Sequence, residues 1–144
     1  MNSSIPFRII LLKPPAGIDF GLQKGSGNMY QTLQTQRSGS SDLSFDFSIL
    51  IKPTPDGQPD FAGDYVQGNR GNRFIYIDIG TYAGQFGSPW SRRLKIPLIG
   101  ISQEMIQQHS ADPSKIISCN VPGTGKDGGP NCATVKPFSG WHIG

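Results

Sequence analysis

The chain has 144 residues, the size of one ordinary domain, and we expect a single domain over 1–144 without a separate linker or targeting segment. Its 19 glycines and 12 prolines recur along the whole chain and exceed the roughly 12% average for these two residue types. This distribution excludes a helical bundle, because glycine and proline destabilise helix interiors. No apolar run approaches the roughly 20 residues of a membrane-spanning helix, so we expect no membrane association.

The charges of the chain are distributed unevenly. There are 13 Lys and Arg against 10 Asp and Glu, which is a formal net charge of +3. Up to Ser91 the basic and acidic residues balance, so the whole excess lies from Arg92 onward. Nucleic-acid binding needs a dense basic stripe that neutralises several phosphates at once. A surplus this small predicts that nucleic acid is not a partner.

The first residues do not resemble a signal peptide, since they have no basic n-region and their apolar run ends at Lys13 without a small-residue cleavage site. We therefore expect a cytoplasmic protein. In that compartment Cys119 and Cys132 are expected to be reduced thiols. The two cysteines flank a glycine-rich loop, however, and the sequence leaves a disulfide between them open.

Alternation of apolar and polar side chains is the dominant pattern of the sequence. In the clearest example, residues 43–51, every second side chain is Leu, Phe or Ile. Such a period of two predicts a half-buried β-strand. Residues 73–79 carry large side chains on both faces, which indicates a central strand, and Pro97 indicates an edge or a strand end. Similar patterns predict strands at 7–12, 18–23, 29–36, 92–98, 115–121 and 132–136, and a short edge strand at 61–67.

One segment has the pattern of a helix, from Ser102 to about His109. Ser102 is a good N-cap, and Glu104 lies in the first turn, where a negative charge interacts favourably with the helix dipole. Ile101 and Ile106 occupy the two positions of a hydrophobic staple.

The predicted elements together define the fold class. Many short strands, frequent turns and one short helix near 102–109 predict an all-β domain, either an antiparallel β-sandwich or a small β-barrel.

Three segments carry a resemblance to a known family. They are RFIYIDIGTYAGQ at 73–85, WSRRLKIPL at 90–98 and VPGTGKDGGPNCATVKP at 121–137. The chain resembles, over about 7–141, a family of small bacterial proteins known only as a domain of unknown function. The resemblance implies a free-standing bacterial domain. It carries no activity and no catalytic or ligand-binding residue.

Residues 121–131 form a glycine-rich segment that contains Lys126. Exposed glycine amides can form a concave nest for an anion, and Lys126 would add positive charge. The segment is not a Walker loop, because Asn120 stands where that motif has its first glycine and Asp127 where it has Ser or Thr. The alternative is a structured turn in which the glycines supply positive φ angles.

Arg93 and Lys95 lie two residues apart on a predicted strand, so their side chains share one face and could hold a carboxylate or phosphate. Arg70 and Arg73 would join them if the predicted central strand is the neighbour. The alternative is a solvated face with surface ion pairs, for example to Asp78, which contribute little to stability.

The connection at 80–91 follows the central strand and carries Tyr82 and Trp90. Long loops in compact domains are often functional, and an aromatic side chain there can stack on a ligand or partner, although Trp90 could equally cap the core. We therefore predict a non-enzymatic binding or interaction domain that recognises a small anionic or polar ligand, or a protein partner. The predicted ligand-binding residues are Tyr82, Trp90, Arg92, Arg93 and Lys126.

The sequence leaves two other functions open. One is a small hydrolase-like enzyme that uses Asp78, whose pKa would be raised on a partly buried face, or a Cys/His pair. The other is a structural protein that forms homo-oligomers through exposed strand edges. His109, His142, Cys119 and Cys132 lack the tight spacing of a zinc site, so we expect no metal and no cofactor.

Overall fold

The computed structural model describes residues 3–26, 29–52, 54–80, 90–122, 133–134 and 140–144. Within these residues the chain forms ten strands and one short helix. The strands are β1 (Ser3–Leu12), β2 (Asp19–Ser26), β3 (Met29–Arg37), β4 (Leu43–Lys52), β5 (Asp60–Ala62), β6 (Phe74–Gly80), β7 (Trp90–Pro97), β8 (Ile117–Pro122), β9 (Ala133–Thr134) and β10 (His142–Ile143). The helix, α1 (Gln103–Ala111), lies between β7 and β8.

The strands form two five-stranded sheets. The first sheet has the order β10-β8-β1-β4-β5, and the second has the order β3-β2-β6-β7-β9. Apolar side chains from both sheets meet in one hydrophobic core, so the structure is a β-sandwich. This confirms the predicted all-β class and selects the sandwich over the barrel.

Two described strand pairs of the sandwich are parallel and the others are antiparallel. β8 runs parallel to β1, and β9 runs parallel to β7. A parallel pair needs a long connection. Both pairs have one, because the chain passes through other strands and α1 before β8 is reached, and through α1 and β8 before β9. Each sheet is therefore mixed.

Alternating burial along β4 confirms the strand that the sequence pattern predicts, with every second residue buried from Leu43 to Ile51. In the pairing of β1 with β4, Phe7 lies opposite Phe47, and their ring centroids are 6.3 Å apart. Trp141 packs edge-on against Phe7 at 6.1 Å, so the C-terminal segment closes one side of the core. Complete burial of a side chain such as Phe7 contributes about 1.5–3 kcal/mol to the free energy of unfolding.

Helix α1 begins where the sequence predicts, since the hydroxyl of Ser102 accepts a hydrogen bond of 3.2 Å from the third residue of the helix. It continues to Ala111, two residues beyond the predicted end at His109. It stops at Asp112, whose backbone is extended, because the residue before Pro113 is disfavoured in helical conformation. With nine residues α1 is too short to cross a membrane, and the described part of the chain contains no other helix.

One predicted strand is shorter in the structure, and another is described only in part. The strand predicted at 61–67 is confined to β5, at the edge of the first sheet, and Gln67 makes only an isolated bridge with Phe74. The strand predicted at 132–136 is represented by β9, and the rest of that segment lies outside the described residues. β6 is the central strand of its sheet, as predicted, and Pro97 is the last residue of β7.

Side chains from β3 cover part of the outer edge of β4. β5 pairs with that edge only at 50–52. Before this point, the side-chain amides of Gln34 and Gln36 donate to the carbonyl oxygens of Asp46 and Ser44 at 2.9 and 2.8 Å. An open strand edge is a template for pairing with another chain. These two hydrogen bonds therefore partly satisfy a stretch of edge that has no strand partner among the described residues.

The pairing of β6 with β7 positions the candidate site. Asp78 lies opposite Arg93, and Tyr76 lies opposite Lys95. The turn at 68–73 enters β6 at one end of this pair, next to the residues that follow β7. The outer face of the second sheet and this turn are therefore adjacent.

Candidate functional site

A row of two cations and two aromatic rings lies on the outer face of the second sheet. We call Phe74, Tyr76, Arg93 and Lys95 the cationic row; the residues that alternate with them, Ile75, Ile77, Leu94 and Ile96, are buried in the core. Lys95 Nζ lies 4.3 Å from the centroid of the Phe74 ring, and Arg93 Cζ lies 4.8 Å from that of the Tyr76 ring. Such contacts contribute about 0.5–1 kcal/mol at exposed sites, so they favour holding both cations on this face.

The carboxyl group of Asp78 adjoins the cationic row and is almost completely buried, with 2% of the residue exposed. It accepts hydrogen bonds from Gln23 Nε2 at 3.1 Å and from Thr32 Oγ1 at 2.7 Å. Gln67 Nε2 in turn donates to Gln23 Oε1 at 2.7 Å. Arg93 Nε lies 3.7 Å from Asp78 Oδ1, so the expected ion pair is present beside this network.

Burial raises the pKa of Asp78, because removal from water disfavours the charged carboxylate. The hydrogen bond from Thr32, the positive charge of Arg93 and the hydrogen bond from Gln23 act in the opposite direction and offset this only in part. The raised pKa agrees with what the sequence pattern predicts for this position.

We expect the pH dependence of stability to change when Asp78 is replaced. Its folded-state pKa lies above the unfolded value of about 3.9. Its contribution to the free energy of unfolding is therefore fully present below about pH 4 and is lost as the pH rises through the raised pKa. Asp78→Asn has no carboxyl group to ionise at this position, so it should not lose stability in this way as the pH rises. The asparagine side chain can still accept the hydrogen bond from Gln23.

Denaturant unfolding of both proteins across the acidic and neutral range checks this expectation. The wild type should lose stability relative to Asp78→Asn as the pH rises. Parallel pH profiles of the two proteins would contradict it.

A cavity of about 390 Å³ opens beside the cationic row, and we call it the Lys95 cavity. It is bordered by the turn before β6 and by residues of β7 and the segment after it. Its lining residues are Gly68, Asn69, Gly71, Asn72, Arg73, Phe74, Lys95, Pro97 and Ile99. One lysine, two asparagines and apolar residues thus line one concave space, within the size range of small-molecule sites.

Arg73 holds the wall of the Lys95 cavity in place. Its Nε and Nη2 donate to the two carboxylate oxygens of Asp60 at 3.0 and 3.2 Å, and its Nη1 donates to the carbonyl oxygen of Gly68. The hydrogen bond from Arg73 lowers the pKa of Asp60, which is 7% exposed. Because Asp60 belongs to β5, this ion pair ties the turn to the first sheet and neutralises the charge of Arg73.

Lys95 has no ion-pair partner among the described residues, whereas six other described basic residues each have one. Ion pairs join Arg8, Lys24, Arg37, Arg70, Arg73 and Arg93 each to an aspartate. Among the described residues, no carboxylate oxygen lies within 4.0 Å of Lys95 Nζ. Its positive charge is therefore available to an anion in the cavity.

The arginines that were expected to join Arg93 and Lys95 have separate positions. Arg73 borders the Lys95 cavity, because β6 and β7 are neighbours as the expectation required. Arg70 instead pairs with Asp56 at 2.7 Å, in an exposed ion pair.

The structure describes only some of the residues that the sequence predicts to bind a ligand. Arg93 lies on the outer face, and 40% of its side chain is exposed. Trp90 and Arg92 are described as backbone positions at the start of β7. Tyr82 and Lys126 lie outside the described residues.

The residues suggested for a hydrolase lie in different parts of the sandwich. Asp78 is on the outer face of the second sheet, Cys119 is in the core and His109 is on α1. Cys119 is a free thiol, and burial raises its pKa to about 12. His142 Nε2 lies 3.2 Å from Ser118 Oγ rather than beside a thiol of the described chain. The described residues therefore do not bring the suggested catalytic groups together.

Sequence reasoning missed three residues of the cavity. Asn69 and Asn72 each belong to one copy of a repeated Gly-Asn-Arg pattern at 68–73. Only the arginines of this pattern were predicted to take part in a site, but both asparagines line the cavity. Ile99 is 78% exposed and is the most exposed large hydrophobic side chain of the described residues. The feature of the sequence that could have indicated this exposure is the position of Ile99, which lies two residues after Pro97, where β7 ends.

The protein is a β-sandwich domain built from two packed mixed sheets. Its candidate site is a cavity lined by a lysine that has no carboxylate partner among the described residues. The chain belongs to a family of unknown function (DUF5990), which matches residues 5–144. This confirms the resemblance drawn from the three motifs. No curated protein and no solved structure matches the chain. The function must therefore be argued from the site itself.

Proposed function

We propose that this protein is a non-enzymatic binding domain that holds a small anionic ligand in the Lys95 cavity. The observation that carries the proposal is Lys95, which lines a cavity of about 390 Å³ and whose ammonium group has no carboxylate partner among the described residues. A cation in a partly desolvated concave site attracts an anion more strongly than one in open water.

The other lining groups suit a small ligand with both a polar and an apolar part. The amides of Asn69 and Asn72 can donate hydrogen bonds to a carboxylate or accept them from a hydroxyl. The Phe74 ring and Pro97 offer apolar surface. Arg73 is committed to Asp60, so its role is to hold the turn rather than to bind the anion.

Replacing Lys95 by glutamine is expected to weaken anion binding at least tenfold, because the substitution removes the charge and keeps most of the side-chain volume. Lys115→Gln removes the same charge from an exposed position on another part of the surface and should change the affinity less than twofold. Titration with acetate, followed by amide chemical shifts, measures both effects. Shifts of the wild type should concentrate at 68–74 and at Lys95.

Two results would count against the proposal. One is equal affinity of the wild type and Lys95→Gln for acetate. The other is a set of shifts that spreads over the surface instead of following the cavity. Both results would mean that the protein attracts anions only through its net positive charge.

The remaining expectations stay proposals of the same kind. A protein partner at the segment that carries Tyr82 and Trp90, and an anion nest at Lys126, are compatible with a site at Lys95. Homo-oligomers through strand edges have less support, since Gln34 and Gln36 already occupy two carbonyl groups of the open edge of β4. A cytoplasmic location stays a prediction that cell fractionation can test.

A further inference from the structure

A second cavity, of about 250 Å³, lies directly beside the Lys95 cavity. The two cavities share three lining residues, Gly71, Arg73 and Ile99. The two cavities therefore adjoin at these residues, and we call them together the groove.

The second cavity differs from the first in its chemistry. Pro59, Phe61, Leu98 and Ile101 give it mainly apolar walls. Its charged groups are the carboxylate of Asp60 and the guanidinium of Arg73, which neutralise each other in a bidentate ion pair. Both parts of the groove thus offer apolar surface, and they differ in charge: the first is lined by Lys95, whereas the charged groups of the second neutralise each other.

Ile99 lies between the two parts. It borders both cavities, and it is 78% exposed, although an isoleucine gains free energy when it leaves water. A ligand that extends from the first cavity into the second would pass over this side chain and cover it. The exposed isoleucine is therefore explained if part of the ligand is apolar.

We propose that the groove binds an aliphatic monocarboxylate, with the carboxylate beside Lys95 and the hydrocarbon chain in the second cavity against Ile99. This inference rests on the proposed function and specifies its ligand class. A simple inorganic anion would use only the first cavity. A cation with no carboxylate partner in the described part of the chain, next to apolar surface, fits a ligand with one negative end and one apolar end.

Titration with acetate, butyrate, hexanoate and octanoate tests the inference. The dissociation constant should fall about twofold for each added methylene, which corresponds to half the free energy of complete methylene burial. Amide shifts at 58–61 and 98–101 should appear with the longer acids and be absent with acetate. Shifts at 68–74 should be common to the whole series.

Two variants separate the parts of the groove. Ile99→Ser, on an exposed side chain whose replacement should leave the core intact, should reduce the gain in affinity per methylene. Lys95→Gln should weaken all four acids by a similar factor. The two effects should be independent, because one variant changes the chain contact and the other changes the carboxylate contact.

The outcomes distinguish this inference from the proposed function. If the wild type binds acetate and octanoate equally well in the Lys95 cavity, the inference is wrong and the proposed function stands. If affinity rises with chain length to the same extent in Ile99→Ser, or without shifts at 98–101, the chain binds elsewhere and the inference is again wrong. If none of the acids binds, both fail.

Discussion

Gly68→Ala should lower the free energy of unfolding by about 3 kcal/mol, whereas Gly71→Ala, in the same turn, should lower it by about 1 kcal/mol. Both glycines have positive φ angles, 86° and 89°, so both substitutions introduce backbone strain. They differ in the space around the new methyl group. At Gly68 the Cβ would lie 2.4 Å from the carbonyl oxygen of Asn72 and 2.8 Å from the Phe74 ring. At Gly71 nothing lies within 4 Å.

Denaturant unfolding of the two variants measures this difference, and acetate titration gives its consequence for the site. The clash at Gly68 is with backbone, so the turn itself must move and the wall of the Lys95 cavity moves with it. Gly68→Ala should therefore also bind anions more weakly than Gly71→Ala. Equal stability of the two variants would mean that the turn is not packed as described.

Arg73→Met is expected to destabilise the protein by about 2 to 3 kcal/mol, because it leaves the carboxylate of Asp60 with 7% exposure and without its bidentate partner. Methionine keeps an unbranched side chain of similar length, so the lost charge and hydrogen bonds dominate the effect. Arg70→Met is the matched control. Arg70 pairs with Asp56 in an exposed ion pair, and its replacement should leave stability nearly unchanged.

The pH dependence provides a second measurement for Arg73→Met. The hydrogen bond from Arg73 lowers the folded-state pKa of Asp60 below its unfolded value of about 3.9. The corresponding stability is present above that value and is lost as the pH falls through the lowered pKa. The difference between wild type and variant should therefore be largest near neutral pH and shrink in acid. A difference that does not change with pH would contradict the assignment.

Much of the local structure could be predicted from the sequence, because it depends on neighbouring residues. The alternation from Leu43 to Ile51 predicts a strand with one buried face, since successive side chains of a strand point to opposite sides. Ser102 marks the start of α1, because its hydroxyl can accept a backbone hydrogen bond only at that position.

The candidate site was less predictable, because its groups come from separate parts of the chain. Arg93 and Lys95 could be placed on one face from their spacing alone. The ion pair between Arg73 and Asp60 joins the turn before β6 to the first sheet. The spacing of these residues in the sequence contains no information about that contact. The same holds for Ile99, whose exposure depends on how the segment after β7 lies against the turn.

Periodicity and local hydrogen bonding were enough to predict the all-β class, the alternating faces of the main strands and the start of the helix. The folded chain was needed to find the order of the strands, the parallel pairs of β8 with β1 and β9 with β7, and the meeting of Lys95, Asn69 and Ile99 around one cavity. A strand finds its partner through long-range packing of the whole core, which local patterns do not encode. Residues that are distant in the chain are brought together only by that packing.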